Sequence, residues 1–209
     1  MLIEPGASFG PTSLFHEGIF TRRFPMTASA FIRAAHPKKG IRPDPEAIRR
    51  VLEAGWAGQL KIHGHRCQLH VPSDPNQKIM AYNRQGRTHR KAVTPAMERE
   101  IRRLFTPERG WNVLDAEWLK PEDKLFVFDF LRREGKLLSG LPFPERWALL
   151  PRAYLSPHVS TLPVIRTVKG CLEALASPAP HVEGLIFRSL TTRGFGDTSI
   201  IRCRKTPSS

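Results

Sequence analysis

Gln59-Leu60-Lys61-Ile62-His63-Gly64-His65-Arg66 sets a lysine two residues before a polar side chain and three before a glycine, the pattern of an amine exposed where a strand ends in a turn. Outward from it, 59–71 and 79–83 read as strands joined by the turn-rich Pro72-Ser73-Asp74-Pro75-Asn76. Upstream, Asp44-Pro45-Glu46 reads as a helix start, and Ile48, Val51 and Leu52 recur at helical spacing until Gly55. Downstream, a lid-like helix is expected over 95–105, with Met97, Ile101 and Leu104 on one face. The turn signal Lys120-Pro121-Glu122-Asp123-Lys124 separates strands 111–119 and 125–132, so a hairpin is expected. Alternation along it puts Glu117 and Phe128 on one face, and Phe126, Phe128 and Phe130 together. Helices over 144–150 and 168–175 and strands over 184–189 and 199–203 complete an α+β chain with largely antiparallel sheets flanked by helices.

Residues 1–42 carry broken patterning with one helical stretch at 28–35, and read as an N-terminal arm or extension. Met26 offers a second place for the chain to begin. Residues 43–209 read as one domain, since 209 residues at 40% hydrophobic and 25% charged suffice for one well-buried core. No run of about 18 apolar residues and no basic-then-apolar leader occurs, so a cytoplasmic protein without membrane contact is expected. Cys67, Cys171 and Cys203 are odd in number and widely spaced, which fits reduced thiols. A formal charge of +14 repels itself unless a polyanion answers it, which makes nucleic acid the expected partner class.

Four further stretches follow Lys61 in order: Asp115-Ala116-Glu117-Trp118-Leu119, Phe126-Val127-Phe128-Asp129-Phe130-Leu131, Val182-Glu183-Gly184-Leu185-Ile186-Phe187 and Ile200-Ile201-Arg202-Cys203-Arg204-Lys205. In that order they resemble the motifs of the covalent nucleotidyltransferases, and most closely the adenylation domain of ATP-dependent DNA and RNA ligases. The resemblance runs from Gln59 to Lys205 and implies a ligase-type nucleotidyltransferase fold without the small OB-type barrel that usually follows, for which this sequence leaves no room. It therefore leaves place for a separate OB or clamp partner.

The resemblance implies that ATP is consumed through a covalent AMP on Lys61, with Mg²⁺ beside the α-phosphate and nicked or broken nucleic-acid ends as substrate. A free lysine ionises near about 10.4, and lowering that by roughly 3 units costs about 4 kcal/mol, which nearby Arg202, Arg204 and a bound Mg²⁺ would have to supply. Catalytic roles fall to Lys61, Arg66, Glu183, Arg202 and Arg204. Gln59, Arg66, Arg84, Glu117, Phe128, Arg202 and Arg204 join Lys61 around the nucleotide, Phe128 stacking on the purine. Glu117 and Glu183 are the carboxylates for the metal. Arg202 and Arg204 stand where the family has two lysines; arginine grips phosphate bidentately but is no compact point charge, and Lys205 offers a lysine only through a one-residue register shift. Arg84 sits in Tyr82-Asn83-Arg84-Gln85-Gly86, which reads equally as a surface hairpin turn.

Lys61-Ile62-His63-Gly64 matches the form found in nick-sealing RNA ligases, whereas 128–150 looks like DNA ligases, so DNA and RNA both stay open. So do a GTP-dependent capping-type transferase, a non-catalytic nucleic-acid-binding homologue, and a metal site built on His63, His65 and His70.

Overall fold

Asp44 opens the first helix by accepting the Ala47 N–H on its carboxylate at 2.8 Å, with proline in the first turn, so α1 (Pro45–Glu53) begins at the expected cap. Ile48 is buried from this helix, against Cys171, Leu185, Phe187 and Cys203. Asp44→Ala is expected to lower unfolding free energy by about 1 kcal/mol. Urea denaturation reads this directly, and an unchanged midpoint would mean that solvent replaces the cap.

The computed structural model describes residues 29–152 and 154–205. One sheet contains β1 (Gly40–Ile41), β2 (Trp56–Ile62), β9 (Val182–Ser189) and β10 (Ile200–Arg204), in the spatial order β1-β10-β9-β2. The other runs β4-β3-β5-β6-β7, built from β3 (His65–Pro72), β4 (Met80–Tyr82), β5 (Trp111–Leu119), β6 (Lys124–Arg133) and β7 (Lys136–Leu137). A short strand, β8 (Val159–Thr161), pairs in parallel with β6, and β1 pairs in parallel with β10; the remaining pairings are antiparallel. Helices α2 (Pro95–Phe105), α3 (Phe143–Trp147) and α4 (Val168–Ala176) complete an α+β fold. Among the described residues no helix is long and apolar enough to cross a membrane.

Three expectations need correction. Residues 59–71 are not one strand: β2 ends at Ile62 in the first sheet and β3 begins at His65 in the second. Gly64 sits in that crossover against β5, where a Cβ would lie 2.9 Å from the Trp118 carbonyl and 3.0 Å from Glu117 Cγ. The protein's own backbone explains this glycine without a ligand. The helix expected over 28–35 is replaced, from residue 29 on, by chain without regular secondary structure, whose Ile32 packs with Val113 and Leu131 of the second sheet. There the Gln68 side-chain amide takes both the N–H and the C=O of Ile32, at 2.8 Å each, in place of helical bonds. Met26 and residue 28 lie outside the described residues.

Helix α2, expected as a lid, is a core element. Its Met97, Ile101 and Phe105 bury themselves among Leu69, Leu114 and Trp118, and no residue of it lines the cavity described below. The three cysteines are free and buried, and burial raises each thiol, Cys171 and Cys203 to about 11, so they pack as small apolar side chains.

Candidate active site

Between the two sheets opens a cavity of about 980 Å³, walled by β2, β9 and β10 on one side and by β3, β5 and β6 on the other. Lys61 stands at the end of β2, paired in register with Gly184 of β9. The next pair is Ile62 with Val182, so Glu183 is an extra residue on β9, a β-bulge. Regular pairing would put Glu183 on the face of Ile62, which is buried in a small cluster with Leu119 and Phe128. The bulge re-aims its carboxylate. One oxygen of Glu183 takes the Lys61 ammonium and the other meets His63 Nδ1 at 2.6 Å, with Arg204 Nε at 3.9 Å. Burial works to raise the Glu183 carboxyl, but the Lys61 and His63 hydrogen bonds and charges outweigh it and hold it below the usual carboxylate range. Gly184 follows at φ +149, where a Cβ would stand 2.1 Å from the Cys203 carbonyl, so the Glu-Gly pair is fixed by the crossing of β9 with β10.

A second bulge shapes the opposite wall. Asp115 pairs with Asp129 and Ala116 with Val127, leaving Phe128 as the extra residue of β6. Phe126 and Phe128 therefore do not share a face with Phe130, which drops into the main core beside Leu125 and Val127. The Phe128 ring lines the cavity with two guanidiniums against it, Arg66 at 5.1 Å and Arg188 at 5.2 Å from its centroid. Arg66 is itself gripped by both carboxylate oxygens of Asp115. Burial works to lower its pKa, but Asp115 and other carboxylates outweigh that and raise it. Gln59 is buried, its amide nitrogen donating to the carbonyls of Phe128 at 3.4 Å and Leu162 at 3.3 Å.

Glu117 lies across from Arg66 in register and lines the same cavity. Burial pushes its carboxyl up to about 7 and Asp115 adds to the rise, against the pull of Arg66, Lys61 and the Gly64 N–H. Between the ordinary value of 4.5 and 7 the native protein holds a proton that the unfolded chain has released, so stability falls as pH rises through that window. Glu117→Gln, which has no proton to lose, is expected to gain melting temperature over wild type at pH 8 and to match it near pH 4. A gap that does not change with pH would refute the burial argument.

The nine residues given catalytic, nucleotide or metal roles by the resemblance all line this one cavity, including Arg202 and Arg204, which alternate with buried Cys203 on β10. Lys205 does not: its Nζ donates to the Ser177 carbonyl at 2.5 Å. Arg84 lies in a turn beyond β4, closed by the Asn83 side chain accepting from the Gln85 and Arg87 N–H groups, so the turn and the cavity position hold together. Arg188, His36 and Lys120 line the cavity and were not singled out. Arg188 had a signal, since it continues the alternation of Gly184 and Ile186 along β9.

Among the described residues no group of three His, Cys, Asp or Glu side chains is placed to hold a metal, and His70 is buried against Gln68, away from His63. Two carboxylates, Glu117 and Glu183, line the cavity, the donor type that a hard cation takes.

No protein-family model and no curated protein matches the sequence. Solved structures that align with this chain include the ligase domain of M. tuberculosis LigD, 16% identical at a TM-score of 0.49, matched over 72% of this chain and 55% of that one. A mycobacterial DNA ligase D complexed with ATP and MES is 17% identical at 0.49, over 86% and 59%. An archaeal ATP-dependent RNA ligase is 14% identical at 0.47, over 82% and 48%. The chain spans about half the length of the solved structures it matches.

Proposed function

We propose that this chain is an ATP-dependent polynucleotide ligase working through a lysyl-AMP intermediate. The observation that carries the reading is convergence: Lys61, Glu117, Phe128, Glu183, Arg202 and Arg204 come from five separate stretches of sequence and line one cavity of nucleotide size. Lys61 leaves its pair with Glu183, gives up a proton to solvent, and its Nζ bonds to the α-phosphorus of ATP as the bond to the bridging oxygen breaks and pyrophosphate departs. AMP then passes to a nucleic-acid 5′-phosphate, freeing Lys61, and an adjoining 3′-hydroxyl displaces AMP to close the phosphodiester.

Arg202 and Arg204 are suited to hold the phosphates through charge-assisted hydrogen bonds, and Phe128 offers an apolar ring for the base. Glu117 and Glu183 would hold Mg²⁺, which when bound offsets charge on the phosphates. The net charge of +14 and the exposed Arg84, Arg87 and Arg90 at the cavity favour a nucleic-acid partner gripped through its backbone, in the cytoplasm, with or without a separate clamp protein.

Incubation with Mg²⁺ and either ATP or GTP, read by intact mass spectrometry, tests the reading. A gain of one AMP is expected, followed by sealing of nicked DNA, RNA or hybrid duplexes. A GMP adduct would point to a capping-type transferase instead. The non-catalytic reading is favoured by arginines where the family has lysines; it predicts salt-sensitive nucleic-acid binding and no adduct.

A further inference from the structure

We propose that Gly40, which lies ahead of the stretch 59–205 that carries the ligase resemblance, is a positioning residue for Arg202: its missing side chain leaves the room in which the Arg202 side chain lies against β1 and reaches the cavity. This rests on the phosphate role read for Arg202 above and adds the element that sets where its guanidinium stands.

The chain reaches Gly40 by crossing from one sheet to the other. Ile32 is tied to Gln68 of β3, the Ala35 carbonyl accepts from Arg66 Nη1 at 3.4 Å, His36 and Pro37 line the cavity, and the chain then joins the first sheet as β1. There Gly40 pairs with Arg202 and Ile41 with Cys203, and the Arg202 N–H donates to the Lys39 carbonyl at 3.0 Å. Ile41 and Cys203 pack in one core cluster, so the alternate positions 40 and 202 share the opposite face. On that face Arg202 lines the cavity.

Backbone conformation does not ask for glycine here, because Gly40 lies outside the left-handed region. Space does. A Cβ at position 40 would stand 3.3 Å from Arg202 Cγ and 3.5 Å from its Nε, so the arginine stem runs over bare backbone where a side chain would otherwise be. A strand glycine gives up side-chain packing, and the close approach of another group is a reason to keep one. Among the described residues no hydrogen bond or ion pair fixes the Arg202 guanidinium, whereas Asp115 grips Arg66 and Glu183 lies 3.9 Å from Arg204 Nε. Packing against Gly40 is therefore what confines the Arg202 side chain. A long side chain already confined in the free protein loses less freedom when it grips a phosphate.

Calorimetric titration of the full chain with α,β-methylene-ATP, whose α–β bridge cannot be cleaved, and with adenosine tests this. Gly40→Val is expected to bind the triphosphate about tenfold more weakly than wild type, the loss of one hydrogen bond from a charged donor, with Gly40→Ala in between and adenosine affinity unchanged in both. In an Arg202→Ala background, itself weaker for the triphosphate, Gly40→Val should cost nothing further, because the two substitutions remove one interaction. A merely structural role for Gly40 would weaken both ligands and would add to the loss from Arg202→Ala; either result overturns the assignment, as does wild-type affinity in Gly40→Val. If the valine variant does not fold, Gly40→Ala carries the same comparisons. Full triphosphate affinity in Arg202→Ala would remove the phosphate role itself, and a wild-type protein that binds neither ligand would end the nucleotide reading; the assignment of Gly40 falls with either.

Discussion

Lys61→Ala protein incubated with ATP and Mg²⁺ is expected to gain no AMP, and its sealing of a nicked duplex to fall by at least about 10³-fold. The size of the loss follows from covalent catalysis, in which no neighbouring group replaces a missing nucleophile. Structural damage is a poor alternative explanation. Glu183 keeps His63 at 2.6 Å and has a side chain 23% exposed, so the carboxylate left behind is partly solvated and the fold should lose less than about 1 kcal/mol. A pre-adenylated 5′ end supplies the product of the first two steps, so the variant should seal that substrate far better than it seals with ATP. Among the described residues Lys120 is the other lysine lining the cavity. An adduct that persists in the variant, mapped to Lys120, would move the nucleophile across the site; sealing at the wild-type level would end the covalent reading.

The sequence made most of the strand set legible because its signals are local: the turn at 120–124, the Asp44 cap, and alternation along β5. What it hid were events that depend on partners far along the chain. Gly64 reads as the end of a motif, yet it marks where the backbone changes sheets, which only contact with Trp118 reveals. Glu183 and Phe128 were named from motif likeness, but the bulges that orient them appear in the pairing of β9 with β2 and of β6 with β5. A bulge leaves no trace in one strand's alternation, so strict alternation puts Phe130 on the wrong face. The 29–35 segment failed for a related reason: Gln68, 36 residues away, satisfies the Ile32 backbone and outcompetes a helix. A lone arginine after an apolar run, as Arg188 is, reads as surface, whereas Asp129 of the other sheet draws it inward.

Asp129→Ala is expected to cost about 3–5 kcal/mol of stability, or roughly 6–20 °C in melting temperature, the largest single-site loss foreseen outside the catalytic group. Asp129 is buried at 2% exposure and its oxygens are fully used. Oδ1 accepts from Arg146 Nε at 3.0 Å and from the Phe130 N–H at 2.9 Å, while Oδ2 accepts from Arg146 Nη2 at 3.0 Å and Arg188 Nη1 at 3.1 Å. Removing the carboxylate leaves Arg146, itself 2% exposed, as a buried cation answered among the described residues by the Leu141 carbonyl at 2.6 Å and the Phe195 ring, 4.9 Å away at its centroid, with no anion beside it. An uncompensated buried charge is what makes such a deletion costly, so pairing Asp129→Leu with Arg146→Met should recover much of the loss. A shift below about 1 kcal/mol for Asp129→Ala would mean that water reaches the pair. The same carboxylate ties β6 of one sheet to β9 of the other beside the Phe128 bulge. Asp129→Asn, which keeps the shape and drops the charge, should therefore weaken nucleotide binding even at temperatures where it stays folded.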